Sequence, residues 1–337
     1  MESKIGKMLV DANLVTESQL QEALDLQREA GGRLGDNLVK LNYLRHGAFE
    51  QFIETAPLPP KSTAETGISE EFLVDLAMKH LYYGGVLAGY DLANRMKLPF
   101  QAVIQPILRF LKDEKLCEIK KGAGISEGVY TYALTDEGRK RAREMMEQSS
   151  YAGPAPVTIE AYLAMCSRQT VRNLVVRRSE IDAAFTHLVI PQNIFEQLGP
   201  AVNSGKSIFL FGDPGNGKTS IAESLAELMH GGIYVPYAIT VGNQVVKIFD
   251  IVHHVPIDVP KPRGAGDADI TQGTSSYDQR WVFCRRPVVE VGGELTLNML
   301  DLRFDEVSKF YEAPLQVKAN GGLFIIDDFG RQQVSPR

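Results

Sequence analysis

The chain has 337 residues, 44% of them hydrophobic, and a formal net charge of -6. That length and composition predict a folded protein of two or three units, and the acidic balance excludes a global basic footprint for nucleic acid or membrane surfaces. Cys117, Cys166 and Cys284 are too far apart for a zinc site or a disulfide framework, so a cytoplasmic protein with reduced thiols is expected.

The amino terminus leads into an amphipathic pattern, and no apolar run approaches the ~20 residues that span a bilayer, so no membrane span is expected. Residues 1–56 carry an internal repeat. Lys4-Ile5-Gly6, Leu9-Val10, Asn13-Leu14-Val15, Leu20, Leu24 and Gln27 are echoed about 29 residues later by Arg33-Leu34-Gly35, Leu38-Val39, Asn42-Tyr43-Leu44, Phe49 and Ile53. Two such copies predict a small all-α domain whose apolar stripes pack on each other. The segment resembles the amino-terminal domain of type II secretion and type IV pilus assembly ATPases, which in some members binds cyclic di-GMP. Lys4, Asn13, Asn42 and Ala56 depart from that pattern. The departures favour a protein-docking module, with cyclic di-GMP binding as the alternative.

Residues 57–68 combine prolines with small polar residues and read as a linker. From Ser69 the pattern is three helices and a hairpin. Ser69 caps a helix with Glu70 and Glu71 in its first turn, and Gly84-Gly85 end it. Helices over 90–96 and 99–114 follow, then wing strands over 116–121 and 129–134, then a helix capped by Thr135 that runs to about Gln148. This order resembles a winged helix-turn-helix domain over 69–148. The third helix carries Arg109 and Lys112 beside Asp113 and Glu114, with Pro106 breaking its ladder. The segment holds 12 basic and 12 acidic residues. DNA binding is therefore disfavoured and a protein partner preferred, because phosphate neutralisation dominates DNA affinity. Residues 149–160 read as a second linker.

The third unit, 161–337, carries the chemistry. Gly212-Asp213-Pro214-Gly215-Asn216-Gly217-Lys218-Thr219 fits GxxxxGK[ST]. The apolar run Ser207-Ile208-Phe209-Leu210-Phe211 predicts a buried strand before it, and Thr219 to Met229 a helix after it. Glycines let backbone N–H groups and the positive helix end converge on phosphate. Lys218 then reaches the β- and γ-phosphates, Ser220 extends the loop, and Thr219 offers a hydroxyl to Mg2+. Near the carboxyl terminus, Gly321-Gly322-Leu323-Phe324-Ile325-Ile326-Asp327-Asp328 is an apolar strand ending in two carboxylates, the Walker B pattern. Asp327 is the expected metal ligand and Asp328 the group that orients or deprotonates the attacking water.

Both motifs resemble those of the AAA+ ATPases, with Asp327-Asp328 in the place of the family's Asp-Glu pair. The resemblance implies a multidomain chain ending in an α/β P-loop NTPase core with a parallel sheet, binding ATP and Mg2+, and forming a homo-oligomeric ring when full length. Val189-Ile190-Pro191 resembles the family's segment against adenine. Residues 233–312 then form an insertion with a hairpin around Val241-Gly242-Asn243-Gln244 and a Pro/Gly/Asp-rich loop over 259–276, a candidate partner surface alongside residues 1–148. The family's polar sensor, arginine finger and helical lid have no counterpart before Arg337, so a truncated core is expected. His253-His254 read as exposed polar residues. The leading expectation is an ATPase that remodels or regulates a protein partner; the alternatives are a non-hydrolysing nucleotide-gated scaffold and a DNA-binding regulator.

Overall fold

In the computed structural model the described residues are 17–32, 34–41, 43, 56–122, 126–213, 215–229, 231–257 and 277–331. Helices α1 (Glu17–Ala30) and α2 (Leu34–Lys40) bury Leu20, Ala23, Leu34 and Leu38 against each other. The expected apolar pairing is thus seen where residues are described. Residues 1–16, Arg33, Asn42 and 44–55, on which the repeat and the cyclic di-GMP alternative also rest, lie outside them.

The next unit contains the expected helices and wing strands together with one strand the sequence did not announce, Val86–Ala88. It runs through α3 (Glu70–Gly84), β1 (Val86–Ala88), α4 (Gly89–Met96), α5 (Gln105–Asp113), β2 (Cys117–Lys121), β3 (Thr131–Leu134) and α6 (Asp136–Gln148). The Ser69 hydroxyl accepts from the Phe72 N–H at 3.3 Å, which caps α3. Pro106 has no N–H for the preceding turn, and residues 100–104 relax into a π turn in which the Ile104 N–H donates to the Pro99 carbonyl. At the strand-to-helix join the Thr135 hydroxyl accepts from the Gly138 N–H at 3.1 Å and donates to the Lys115 carbonyl at 2.8 Å. A Cβ on Gly138 would stand 2.0 Å from the Leu116 carbonyl oxygen, so only glycine fits there. Leu73, Leu76, Leu81, Leu92, Ile107 and Leu111 close one core beneath the three-stranded sheet β1-β3-β2.

Neither expected linker is free. Tyr151 and Ala155 belong to that same core, the Ala155 N–H donates to the Met96 carbonyl at 2.8 Å, and β4 (Val157–Thr158) enters a sheet. Thr66 is buried, and the Asp278 N–H donates to the Pro57 carbonyl at 2.7 Å. Proline and small residues favoured irregular backbone here, and that backbone is held by tertiary hydrogen bonds.

After α7 (Ile159–Arg168), α8 (Arg178–Ala184), α9 (Gln192–Asn203) and α10 (Lys218–Glu227) come β5 (Gly232–Pro236), β6 (Ala238–Val241) and β7 (Gln244–Lys247). Then follow β8 (Trp281–Arg285), β9 (Val288–Val291), β10 (Arg303–Asp305), β11 (Phe310–Glu312), α11 (Leu315–Lys318) and β12 (Leu323–Ile326). The hairpin β6–β7 turns at Gly242 with φ 60° and lies inside a mixed five-stranded sheet, β10-β11-β7-β6-β4. Ala238 and Val245 pack into the core of the 69–155 unit. The hairpin of the insertion, a candidate partner surface in the sequence, is therefore built into the body; the 259–276 loop lies outside the described residues. The chain is a mixed α/β multidomain molecule, and among the described residues no helix is long and apolar enough to cross a membrane.

The expected strand over 207–211 does not form. Phe209 and Phe211 are 70% and 84% exposed, and the segment joins no ladder. Its apolar composition suits a strand, but strand formation depends on packing against a partner, and no described strand lies beside it. Among the described residues parallel pairing joins β12 to β9, where Ile326 faces Val291, and, within the mixed sheet, β4 to β6 and β7 to β11.

Two buried histidines give the body a pH dependence. His80 Nε2 donates to the Gly153 carbonyl at 2.9 Å. His254 accepts from the Asp250 N–H through Nδ1 at 3.0 Å and donates to the Lys318 carbonyl through Nε2 at 2.9 Å. Burial lowers both pKa values, so the folded state keeps the rings neutral while the unfolded chain takes protons. Their contribution is fully present above the unfolded value, about pH 6.5, and is lost as pH falls below it, at up to about 1.4 kcal/mol per pH unit per histidine. Urea unfolding should show a lower midpoint at pH 5.5 than at pH 7.5; an equal or higher midpoint at pH 5.5 contradicts the assignment.

Candidate functional site

The loop before α10 is open and backbone-lined. Gly215 and Gly217 have φ of 85° and 71°, and an added Cβ at either would meet no atom within 4 Å. This left-handed backbone is easy for glycine and leaves space above the loop. Gly217 occupies the N-cap position of α10 with no side chain capping it, so the first-turn N–H groups at Lys218, Thr219 and Ser220 mark the positive end of a helix. Asp213 and Asn216 lie on the exposed rim, and Pro214 lies outside the described residues.

Lys218 folds over its own loop. Its Nζ donates to the carbonyls of Gly212 at 3.1 Å and Asp213 at 3.0 Å. These are exposed neutral acceptors, and an anionic oxygen makes a stronger partner for an ammonium.

The carboxylates expected 108 residues away meet this loop. Thr219 Oγ1 donates to Asp327 Oδ2 at 2.8 Å, while Asp327 Oδ1 accepts from the Asp328 N–H at 2.8 Å. These two hydrogen bonds, the Thr219 hydroxyl foremost, with the nearby Lys218 charge, hold the Asp327 carboxyl below the usual carboxylate range. Asp328 is the second residue beyond β12, with φ 50°, and its carboxylate lies 3.4 Å from Arg331. Its side chain is exposed, toward solvent. Of the residues that sequence reasoning singled out, the structure brings Thr219 and Asp327 into contact, while the Asp328 carboxylate faces Arg331.

Other expected residues are placed differently. Val189 is fully exposed, whereas Ile190 packs on the cluster of Leu174, Ile181, Phe185 and Leu225 beside α10. His253 and His254, expected on the surface, are structural: His253 Nδ1 and Lys318 Nζ both contact the Asp250 carboxylate, at 2.9 and 2.8 Å. Among the described residues no group of three His, Cys, Asp or Glu side chains is set to hold a metal. On α5, Arg109 and Gln105 are both engaged by Glu127, at 3.2 and 3.0 Å.

Sequence reasoning missed two buried arginines. Arg280 donates to Asp278 through Nε and Nη2, and through Nη1 to the carbonyls of Thr66 and Pro156 at 2.9 and 3.1 Å. Arg286 donates through Nη1 to the carbonyls of Gln169 and Gly321. The backbone carbonyls that both arginines hold are far away in sequence, so no local pattern marks them, although Asp278 lies only two residues from Arg280.

The residues fit Mg2+ and a triphosphate. The free space above Gly215 and Gly217, the uncapped helix end and the Lys218 ammonium over the loop suit phosphate oxygens. The touching hydroxyl and carboxylate of Thr219 and Asp327 are hard oxygen donors of the kind that Mg2+ takes. No protein-family model and no curated protein matches the chain.

Proposed function

We propose that the chain is an ATP-binding protein of the AAA+ type that hydrolyses ATP with Mg2+ and couples the cycle to a protein partner. The observation that carries this reading is the 2.8 Å contact between Thr219 and Asp327, which joins the glycine-rich loop to a carboxylate 108 residues later. Chance glycine-rich turns carry no such distant acidic partner.

On this reading Lys218 leaves the Gly212 and Asp213 carbonyls for the β- and γ-phosphates, while the loop amides and α10 hold the phosphate chain. Thr219 and Asp327 hold Mg2+, which neutralises developing charge when bound. Asp328 leaves Arg331 and orients the attacking water, accepting its proton; being one methylene shorter than glutamate, it must sit closer to that water. The partner modules are a winged-helix domain at 69–148 and the amino-terminal helices. The engagement of Gln105 and Arg109 by Glu127 supports a protein over a DNA partner, since those donors would otherwise face base edges and phosphates.

The Asp328–Arg331 contact also favours a second reading, a nucleotide-gated scaffold that binds ATP without turnover. Two variants separate the roles. Asp327→Asn is expected to weaken Mg2+ binding to the ATP-loaded protein by about tenfold or more, since a charged ligand is lost. Asp328→Asn is expected to leave Mg2+ affinity intact and to lower steady-state turnover by about 10²-fold or more. Equal turnover in wild type and Asp328→Asn would remove Asp328 from the reaction. Wild-type turnover indistinguishable from buffer would establish the scaffold.

A further inference from the structure

The two halves of the candidate site belong to separately packed parts of the chain. Among the described residues, 159–231 contribute no strand to any sheet. Leu174, Ile181, Phe185, Leu198, Leu225 and Leu228 instead form a core of their own around α8, α9 and α10. This phosphate-loop body meets the end of β12 through the Thr219–Asp327 hydrogen bond and an edge contact between Phe209 and Phe329 at 6.1 Å.

The other ends of both parts converge on one buried polar hub. Gln169, at the end of α7, leads into the phosphate-loop body, and its side-chain amide brackets the Tyr234 backbone. Nε2 donates to the Tyr234 carbonyl and Oε1 accepts from its N–H, each at 2.9 Å. Tyr234 lies in β5, where the chain returns from that body. The Gln169 carbonyl accepts from Arg286 Nη1 at 3.0 Å, and the same Nη1 donates to the Gly321 carbonyl, two residues before β12. Gly322 is pressed so closely to Pro287 that a Cβ would lie 2.0 Å from its carbonyl oxygen. Departure, return and the root of the carboxylate strand are thus tied at Gln169 and Arg286, which are 4% and 3% exposed.

We propose that this hub is a pivot, with Gln169 and Arg286 as positioning residues that set how closely Thr219 approaches Asp327, and that Mg-ATP closes the phosphate-loop body onto the carboxylate strand. The inference rests on the nucleotide reading above. The reason is mechanical: with no ladder between the parts, their spacing at the site depends on the hub at one end and on what lies between Thr219 and Asp327 at the other. A ligand touching both parts favours their closed arrangement by its differential affinity.

Hydrogen exchange of the full chain, with and without saturating ATP and Mg2+, tests the closure. Amides of α8 and α9, which are not part of the phosphate loop, are expected to slow about tenfold or more with Mg-ATP and to revert when Mg2+ is chelated. Arg286→Lys tests the positioning role. Its Mg2+-free ATP affinity should stay within about twofold of wild type while the tightening caused by Mg2+ falls about tenfold, within the usual range for coupled sites. If that variant does not fold, Gln169→Asn carries the same titration. ATP binding that leaves exchange in α8 and α9 unchanged overturns the pivot alone, as does an equal loss of affinity with and without Mg2+. No ATP binding at all overturns the nucleotide reading together with this one.

Discussion

Arg280→Ala is expected to lower stability by about 3–5 kcal/mol, the cost of leaving a buried carboxylate without its cation. Arg280 and Asp278 are 5% and 3% exposed, so solvent cannot replace the lost partner. The substitution also removes the donors to Thr66 and Pro156, and so unties both segments that flank the 69–148 unit from the start of β8. Against a typical total of about 5–15 kcal/mol this is a large fraction, and urea unfolding of both proteins measures it. Replacing the pair together, Arg280→Met with Asp278→Leu, should recover much of the loss, because a buried ion pair adds little over apolar side chains of similar volume. A single variant as stable as wild type would show that the pair is not the staple described.

Lys218→Ala carries the second large effect, on binding instead of stability. The ammonium is expected to contribute about 2–3 kcal/mol to a triphosphate, so ATP affinity should fall roughly 30- to 150-fold. The melting temperature without nucleotide should hardly change, since in the free protein Lys218 bonds only to exposed loop carbonyls. Calorimetric titration alongside thermal unfolding separates the two. An unchanged affinity would remove the loop from nucleotide binding, and a large loss of stability would mean that Lys218 serves the fold.

What was legible in the sequence was local. Ser69 and Thr135 announce helix starts because a hydroxyl satisfies first-turn N–H groups wherever it sits, and Val241-Gly242-Asn243-Gln244 announces a turn because glycine accepts positive φ. The loop over 212–219 and the strand ending in Asp327-Asp328 were legible for the same reason. Long-range pairing was not. The run 207–211 has strand composition but no partner, so it remains outside every sheet. Residues 149–156 look like a linker until Tyr151 and Ala155 enter the core, and the hairpin over 238–247 carries no sign that Ala238 and Val245 pack against the helices. Arg286 bonds to the Gln169 and Gly321 carbonyls, and Arg280 adds the Thr66 and Pro156 carbonyls to its pair with Asp278; no residue pattern advertises such distant backbone acceptors.

The account stands or falls on one site made from the glycine-rich loop and Asp327. Calorimetric titration of ATP into the wild-type chain, with Mg2+ and with a chelator, addresses it most directly. The expected result is one ATP per chain, bound about tenfold or more tightly with Mg2+ than without, because Thr219 and Asp327 reach the nucleotide only through the metal. Absence of binding at millimolar ATP, or binding of equal strength with and without Mg2+, would contradict it.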